Sequence, residues 1–162
     1  MTLVVADTSP LNYLVQIGCE HVVPSLYGRI LVPAAVIGEL TSEGTPAAVR
    51  TWLQANPAWV ETRRIREPLS PILAGLHRGE AEAIPLTEQE RAGLLLMDDR
   101  KGARVARQRG LEVMGTLGVL LQAGKGGFLN LDDALTPLEA TDFRCTTELF
   151  AHVRASARNA RQ

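Results

Sequence analysis

Two short apolar runs end abruptly in carboxylates: Leu3-Val4-Val5-Ala6 gives way to Asp7, and Leu94-Leu95-Leu96-Met97 gives way to Asp98-Asp99. Apolar, partly β-branched runs without polar alternation predict strands buried on both faces, as in a parallel sheet covered by helices. In an open parallel sheet the ligand site lies beyond the carboxyl ends of the strands. Both runs therefore carry their acids to the same edge of the fold.

The remaining pattern predicts alternating helices and strands. Asp7-Thr8-Ser9-Pro10 supplies cap residues and a first-turn proline, Leu11, Leu14, Val15 and Ile17 give a helical face, and Gly18 ends it. Pro24 to Tyr27 predicts a short helix, Ile30-Leu31-Val32 a second strand, and Pro33 to Leu40 a helix with Glu39 near its end. Ala47 to Gln54 reads as helix and Trp59 to Thr62 as a short edge strand. A helix is expected through Leu73 and Leu76, broken by Gly79, and another over Glu80 to Ile84 that Pro85 should kink or cut short. Arg100 to Arg109 is a basic helix closed by Gly110 and followed by a strand over Leu111 to Met114. Thr116 caps a helix through Leu120 and Leu121, Gly124 to Gly127 turns, and helices follow over Leu131 to Leu138 and from Thr146 to about Ala157. This alternation argues a three-layer α/β/α sandwich around a parallel sheet of four to five strands, with right-handed crossovers.

The length of 162 residues fits one domain, with residues 1–150 holding the core and 151–162 the end of the last helix and an Arg-rich, frayed tail. The 17 basic and 18 acidic side chains nearly cancel, so a nucleic-acid partner has to be argued from local clusters. Cys19 and Cys145 stand far apart, which speaks against a zinc site or a disulfide framework. With no secretory signal pattern and no apolar run of membrane-spanning length, a cytoplasmic, membrane-free protein is expected.

Glu39 follows a third strand by one short helix, and Glu80 with Glu82 opens another helix, so four separated segments can aim carboxylates at one cleft. Such a cluster without histidine or cysteine suits Mg²⁺ or Mn²⁺, which favour oxygen ligands and neutralise the mutual repulsion. One or two such ions can activate water for attack on a phosphodiester. Simpler roles exist for each acid: Asp7 or Asp98 could cap the helix that follows, and Glu39 could be an exposed helix residue. Glu80 and Glu82 point about 200° apart on a helix, so only one faces the site directly. Glu80, beside Gly79, is the choice, leaving Glu82 solvated or in a supporting position.

Five stretches together resemble the PIN-domain nucleases, in the compact prokaryotic branch close to the VapC-type toxins. They are Val4-Val5-Ala6-Asp7-Thr8-Ser9-Pro10-Leu11, Leu31-Val32-Pro33 through Val36-Ile37-Gly38-Glu39-Leu40, Gly79 to Ile84, Leu96-Met97-Asp98-Asp99-Arg100 with Ala103 to Ala106, and Met114 to Leu120. The resemblance implies a PIN-like fold, Mg²⁺ or Mn²⁺, cleavage of single-stranded RNA, and a homodimer held inactive by a small antitoxin. By position it makes Asp7, Glu39 and Glu80 the first three metal carboxylates and Asp98 or Asp99 the fourth.

Arg100, Lys101 and Arg104, with Arg107 and Arg109, crowd the helix that starts beside these acids, and Arg63, Arg64 and Arg66 form a second cluster. Either could hold RNA phosphates, and either could be ordinary solvated surface paired with Glu88, Glu90 or Glu112. Thr8, Ser9 and Thr116 are candidate supports that orient a carboxylate or cap a helix. Trp52 and Trp59 suit the core or an antitoxin interface better than base stacking. A haloacid-dehalogenase-like phosphatase would need a second Asp two residues after Asp7, where Ser9 stands. The other alternative keeps the PIN fold as a non-catalytic RNA- or protein-binding module.

Overall fold

The computed structural model describes residues 2–160. Strands β1 (Val4–Ala6), β2 (Ile30–Pro33), β3 (Val60–Arg63), β4 (Leu94–Leu96) and β5 (Val113–Met114) form one sheet, ordered β3-β2-β1-β4-β5 with every pairing parallel. After β1 the chain builds outward through β2 and β3, then returns to the other side of β1 to add β4 and β5. The β1–β4 seam is thus the topological switch point, where open α/β sheets bind ligands. Register carries Val4, Val5 and Ala6 beside Leu94, Leu95 and Leu96, and the Asp7 N–H donates to the Leu96 carbonyl at 2.9 Å. Asp7 and Asp98 therefore leave the sheet together.

Nine helices cover the described chain: α1 (Thr8–Gln16), α2 (Val22–Tyr27), α3 (Ala34–Leu40), α4 (Ala47–Gln54), α5 (Arg78–Gln89), α6 (Arg100–Gln108), α7 (Thr116–Lys125), α8 (Leu131–Glu139) and α9 (Thr147–Ala160). The strand pleat sorts the core into two layers. Val4, Ala6, Ile30, Val32 and Leu96 pack on one side with Leu11, Leu14, Val36, Leu120, Leu135 and Phe150. Val5, Leu31, Leu95 and Met97 pack on the other with Ile84 and Leu86 of α5 and Ala106 of α6. The three-layer α/β/α sandwich expected from the alternating pattern is what forms. Among the described residues no helix is long and apolar enough to cross a membrane. Arg161 and Gln162, at the end of the expected Arg-rich tail, lie outside the described residues.

Several local expectations change. The helix through Leu73 and Leu76 is only a 3-10 turn, Pro71–Leu73, opened by the Ser70 hydroxyl accepting from Ile72 N–H. Gly79 is the second residue of α5 rather than its break, and Pro85 neither ends that helix nor confines it. Continuity past the proline is held by tertiary burial: Ile84 and Leu86 are fully buried, and the Thr87 hydroxyl donates to Ala83 O at 2.7 Å. Burial of this kind outweighs the local cost of one missing N–H. Pro33 closes β2 instead of opening α3, β5 is two residues long, α7 runs on through Lys125, and Gly115 rather than Thr116 holds the cap position of α7.

Candidate active site

Five acids stand at the carboxyl end of the sheet. Asp7 follows β1 directly and is 3% exposed. Its Oδ1 is buried without a hydrogen-bond partner, and its side chain makes no cap to α1. Helix capping therefore does not explain this residue. Burial is the main force raising its pKa to about 8; the Thr8 N–H opposes it, and the charges of Glu80, Glu39 and Asp98 push the same way as burial. The charges of Glu39, Glu80 and Asp98 all bear on Asp7, so four segments of chain bring acids to one place.

Glu39, in α3, is half-buried and held from two sides. The Thr8 hydroxyl donates to its Oε2, and the Gly79 N–H donates to its Oε1 at 2.8 Å. A Cβ at residue 79 would stand 2.6 Å from Oε2, so any larger residue there pushes the Glu39 carboxylate aside. Glu80 is 7% exposed, and its pKa is raised to about 7, first by burial and then by Asp99; nearby His77 and its backbone N–H pull the other way. The contact with the His77 N–H is half of a capping box at the start of α5.

Asp98 lies between β4 and α6, with Oδ1 accepting from Thr116 N–H and Oδ2 from the Thr116 hydroxyl, both at 2.7 Å. Burial raises its pKa against those two hydrogen bonds. Gly115 makes this approach possible, because a Cβ there would fall 2.8 Å from Asp98 Oδ1. Asp99 caps α6, its Oδ2 accepting from Gly102 N–H at 2.8 Å. The capping role open to Asp98 thus belongs to Asp99, while Asp98 is tied to the start of α7. At Gly102 a Cβ would lie 2.8 Å from Met97 Sδ and 3.2 Å from Glu80 Oε2, so this glycine makes room first for a core methionine and then for a carboxylate.

A family model described as a PIN domain matches residues 3–159. The chain belongs to the PIN-domain family. Among solved structures, the PIN domain endonuclease Utp24 superposes with a TM-score of 0.53 at 16% identity, covering 70% of this chain and 84% of that one. A PilT N-terminus domain protein from the hyperthermophilic archaeon Sulfolobus solfataricus P2 covers 89% of this chain and 99% of its own, at 13% identity and a TM-score of 0.49. No curated protein matches the chain. PIN-domain membership replaces the phosphatase alternative.

In this PIN domain the acids Asp7, Glu39, Glu80, Asp98 and Asp99 meet at one end of the sheet, while the supports divide. Thr8 and Thr116 each orient a carboxylate. Ser9 makes no hydrogen bond to the acids among the described residues. All donors in the cluster are oxygens, one of them orphaned and buried, which suits a hard divalent cation. As the side chains stand, no group of three His, Cys, Asp or Glu among the described residues is disposed to hold an ion. The oxygens of Glu39 and Asp98 are instead occupied by Thr8, Gly79 and Thr116.

Glu82 is not solvated. It is 9% exposed, accepts from Ala35 N–H at 3.1 Å and sits 3.7 Å from Arg78 Nε, joining α5 to α3 behind the acids. Sequence reading missed the three glycines that make room for carboxylates; the signal was their placement beside acids or caps, as in Gly79-Glu80 and Gly115-Thr116. Arg100 and Arg104 are exposed on α6 and line a shallow hollow with Arg107, while Lys101 donates to Gly75 O at 3.0 Å. The pairing expected of neighbouring glutamates occurs at one residue of each cluster, Arg109 with Glu88 at 2.6 Å and Arg63 with Glu90 at 3.2 Å. Trp52 and Trp59 pack together on the core, ring centroids 5.6 Å apart.

Proposed function

We propose that this PIN domain is a metal-dependent endoribonuclease that hydrolyses phosphodiesters in single-stranded RNA. The observation that carries the reading is Asp7: a carboxyl group at the switch point, buried, without a partner for Oδ1, and surrounded by the charges of Glu39, Glu80 and Asp98. An isolated anion in that position is costly, and a divalent cation is the partner that makes it favourable. Asp7, Glu39, Glu80 and Asp98 would hold Mg²⁺ or Mn²⁺, with Asp99 at the rim. When bound, the cation supplies Lewis acidity toward the phosphodiester and a more acidic water. Thr8 and Thr116 keep Glu39 and Asp98 oriented, which is the service that outer hydrogen bonds perform for ligating carboxylates. Arg100, Lys101 and Arg104 offer phosphate contacts along α6, which begins next to Asp99.

In the same reading the chain acts as the toxin of a toxin–antitoxin pair, as a homodimer restrained by a small antitoxin protein; the support for this is the resemblance to the VapC-type toxins. The test is incubation of labelled single-stranded RNA with the parent, Asp7→Asn and Asp98→Asn/Asp99→Asn in Mg²⁺, Mn²⁺ or EDTA. Cleavage that requires metal and is lost in both variants supports the reading. A parent that binds RNA but never cuts it leaves the non-catalytic binding module in its place.

A further inference from the structure

A groove of about 670 Å³ opens beside the acids, between α3, the chain following β3, and the first turns of α5. Glu39 lines this groove and belongs to the acid cluster as well, so the two are continuous. We propose that the groove seats one nucleotide of a single-stranded RNA next to the scissile phosphate, with Arg64 and Arg78 gripping its backbone. The inference rests on the nuclease reading for the class of substrate and adds the path by which the strand reaches the acids.

The volume lies within the usual range of small-ligand sites, about 300–1,000 Å³. Arg64 is exposed and makes no ion pair among the described residues. Arg78 is 80% exposed over its side chain and, among the described residues, is ion-paired only at Nε, 3.7 Å from Glu82 Oε2, so most of its guanidinium faces water. Two such guanidinium groups on one groove suit a phosphodiester, which they can grip through paired N–H donors. Ala34, Ala35 and Gly38 keep one wall low, and Ile65 gives an apolar surface for a sugar or a base edge.

Glu82, buried and bonded to Ala35 N–H, fixes the separation of α3 and α5 and hence the width of the groove. The mixed lining suits a nucleotide, whose phosphate can meet Arg64 or Arg78 while its 2′-hydroxyl and base amines donate toward Glu39 and Glu82; the side chains of a run of aspartates offer acceptors alone. By comparison, the hollow on α6 is lined by Arg100, Arg104, Arg107 and Gln108, with none of the site acids on its wall.

Gly38 offers a clean obstruction. A Cβ there meets nothing within 4 Å, so a side chain can be added at the groove wall without a clash at its Cβ. Binding of a short, unstructured, labelled RNA is measured in EDTA across a salt series, alongside cleavage in Mg²⁺, for the parent, Arg64→Ala, Arg78→Ala and Gly38→Phe. Each arginine variant is expected to flatten the slope of log K against log salt by about 0.7, one phosphate contact on a single strand. Gly38→Phe is expected to weaken binding several-fold at unchanged thermal stability.

A parent that cuts RNA while all three variants bind as it does overturns the groove and leaves the nuclease reading standing. A parent that binds without cutting, with the variants weakened, supports the groove and removes the enzyme. With poly-glutamate run as a second probe, variants that bind RNA as the parent does and lose only the capture of poly-glutamate overturn the proposal in favour of an acidic protein partner. A parent that neither binds nor cuts RNA removes both readings.

Discussion

Gly79 donates its backbone N–H to Glu39 Oε1 at 2.8 Å, and a Cβ on Gly79 would stand 2.6 Å from the other oxygen of the same carboxylate. One residue thus both holds Glu39 and makes room for it. Helix propensity alone favours alanine over glycine inside α5 by about 0.5–1 kcal/mol. Contact with Glu39 acts the other way. Gly79→Ala is expected to leave the thermal midpoint near that of the parent while lowering metal-dependent cleavage about tenfold or more, as loss of support for a ligating carboxylate does. Steady-state kinetics beside a melting curve separate the two effects.

Thr116 satisfies both oxygens of Asp98, one through its N–H and one through its hydroxyl. Thr116→Val keeps the shape and the N–H but removes the hydroxyl in a fully buried position. Cleavage is expected to fall about 10–100-fold, with the apparent Mg²⁺ requirement shifted upward. A metal titration of the rate distinguishes this from simple unfolding.

Asp7 has an ordinary pKa of 3.8, and in the folded protein it is raised to about 8; Glu80 moves from 4.5 to about 7. Folding therefore takes up protons between these values. Stability from these groups is complete below about pH 4 and is lost as pH rises through 8. The melting temperature of the metal-free protein is expected to fall from pH 5 to pH 8, and Asp7→Asn to flatten much of that fall. Added Mg²⁺ should raise the midpoint more at pH 8 than at pH 5, because the ion competes with the proton for the same oxygens. Thermal scans with and without EDTA report all three.

Pro85 leaves α5 without one interior N–H, and the helix continues because its apolar side is buried. Pro85→Ala is expected to stabilise the protein by about 2 kcal/mol, after allowing for the freedom alanine restores to the unfolded chain. Urea denaturation measures this directly.

The same residue marks where sequence reading reaches its limit. A proline in a short apolar stretch is a local stop signal, whereas the burial of Ile84 and Leu86 against Val5 and Leu95 depends on sheet contacts made across the chain. The strands that end in Asp7 and Asp98 were legible because an apolar run closed by an acid is itself local. The sheet order, and with it the switch point, follows from those runs only once the crossovers are known. Likewise Glu39 and Glu80 are visible as acids on separate helices, whereas Gly79 reads only as a break and Gly102 and Gly115 carry no reading of their own. What they do is a matter of distance to a carboxylate on another segment, and no spacing in the sequence encodes that. Of the two roles open to Glu82, solvated or supporting, the supporting one forms, and its partner, Ala35 N–H, belongs to another segment, α3.

In the proposed function the carboxylates at the β1–β4 seam form a divalent-cation site in which Asp7 is indispensable. Calorimetric titration of the metal-free protein with Mn²⁺, for the parent and for Asp7→Asn, addresses it without reference to substrate. Saturable binding to the parent, accompanied by proton release near neutral pH, and loss of both in the variant are expected. Equal Mn²⁺ binding by parent and variant, or none by either, would contradict it.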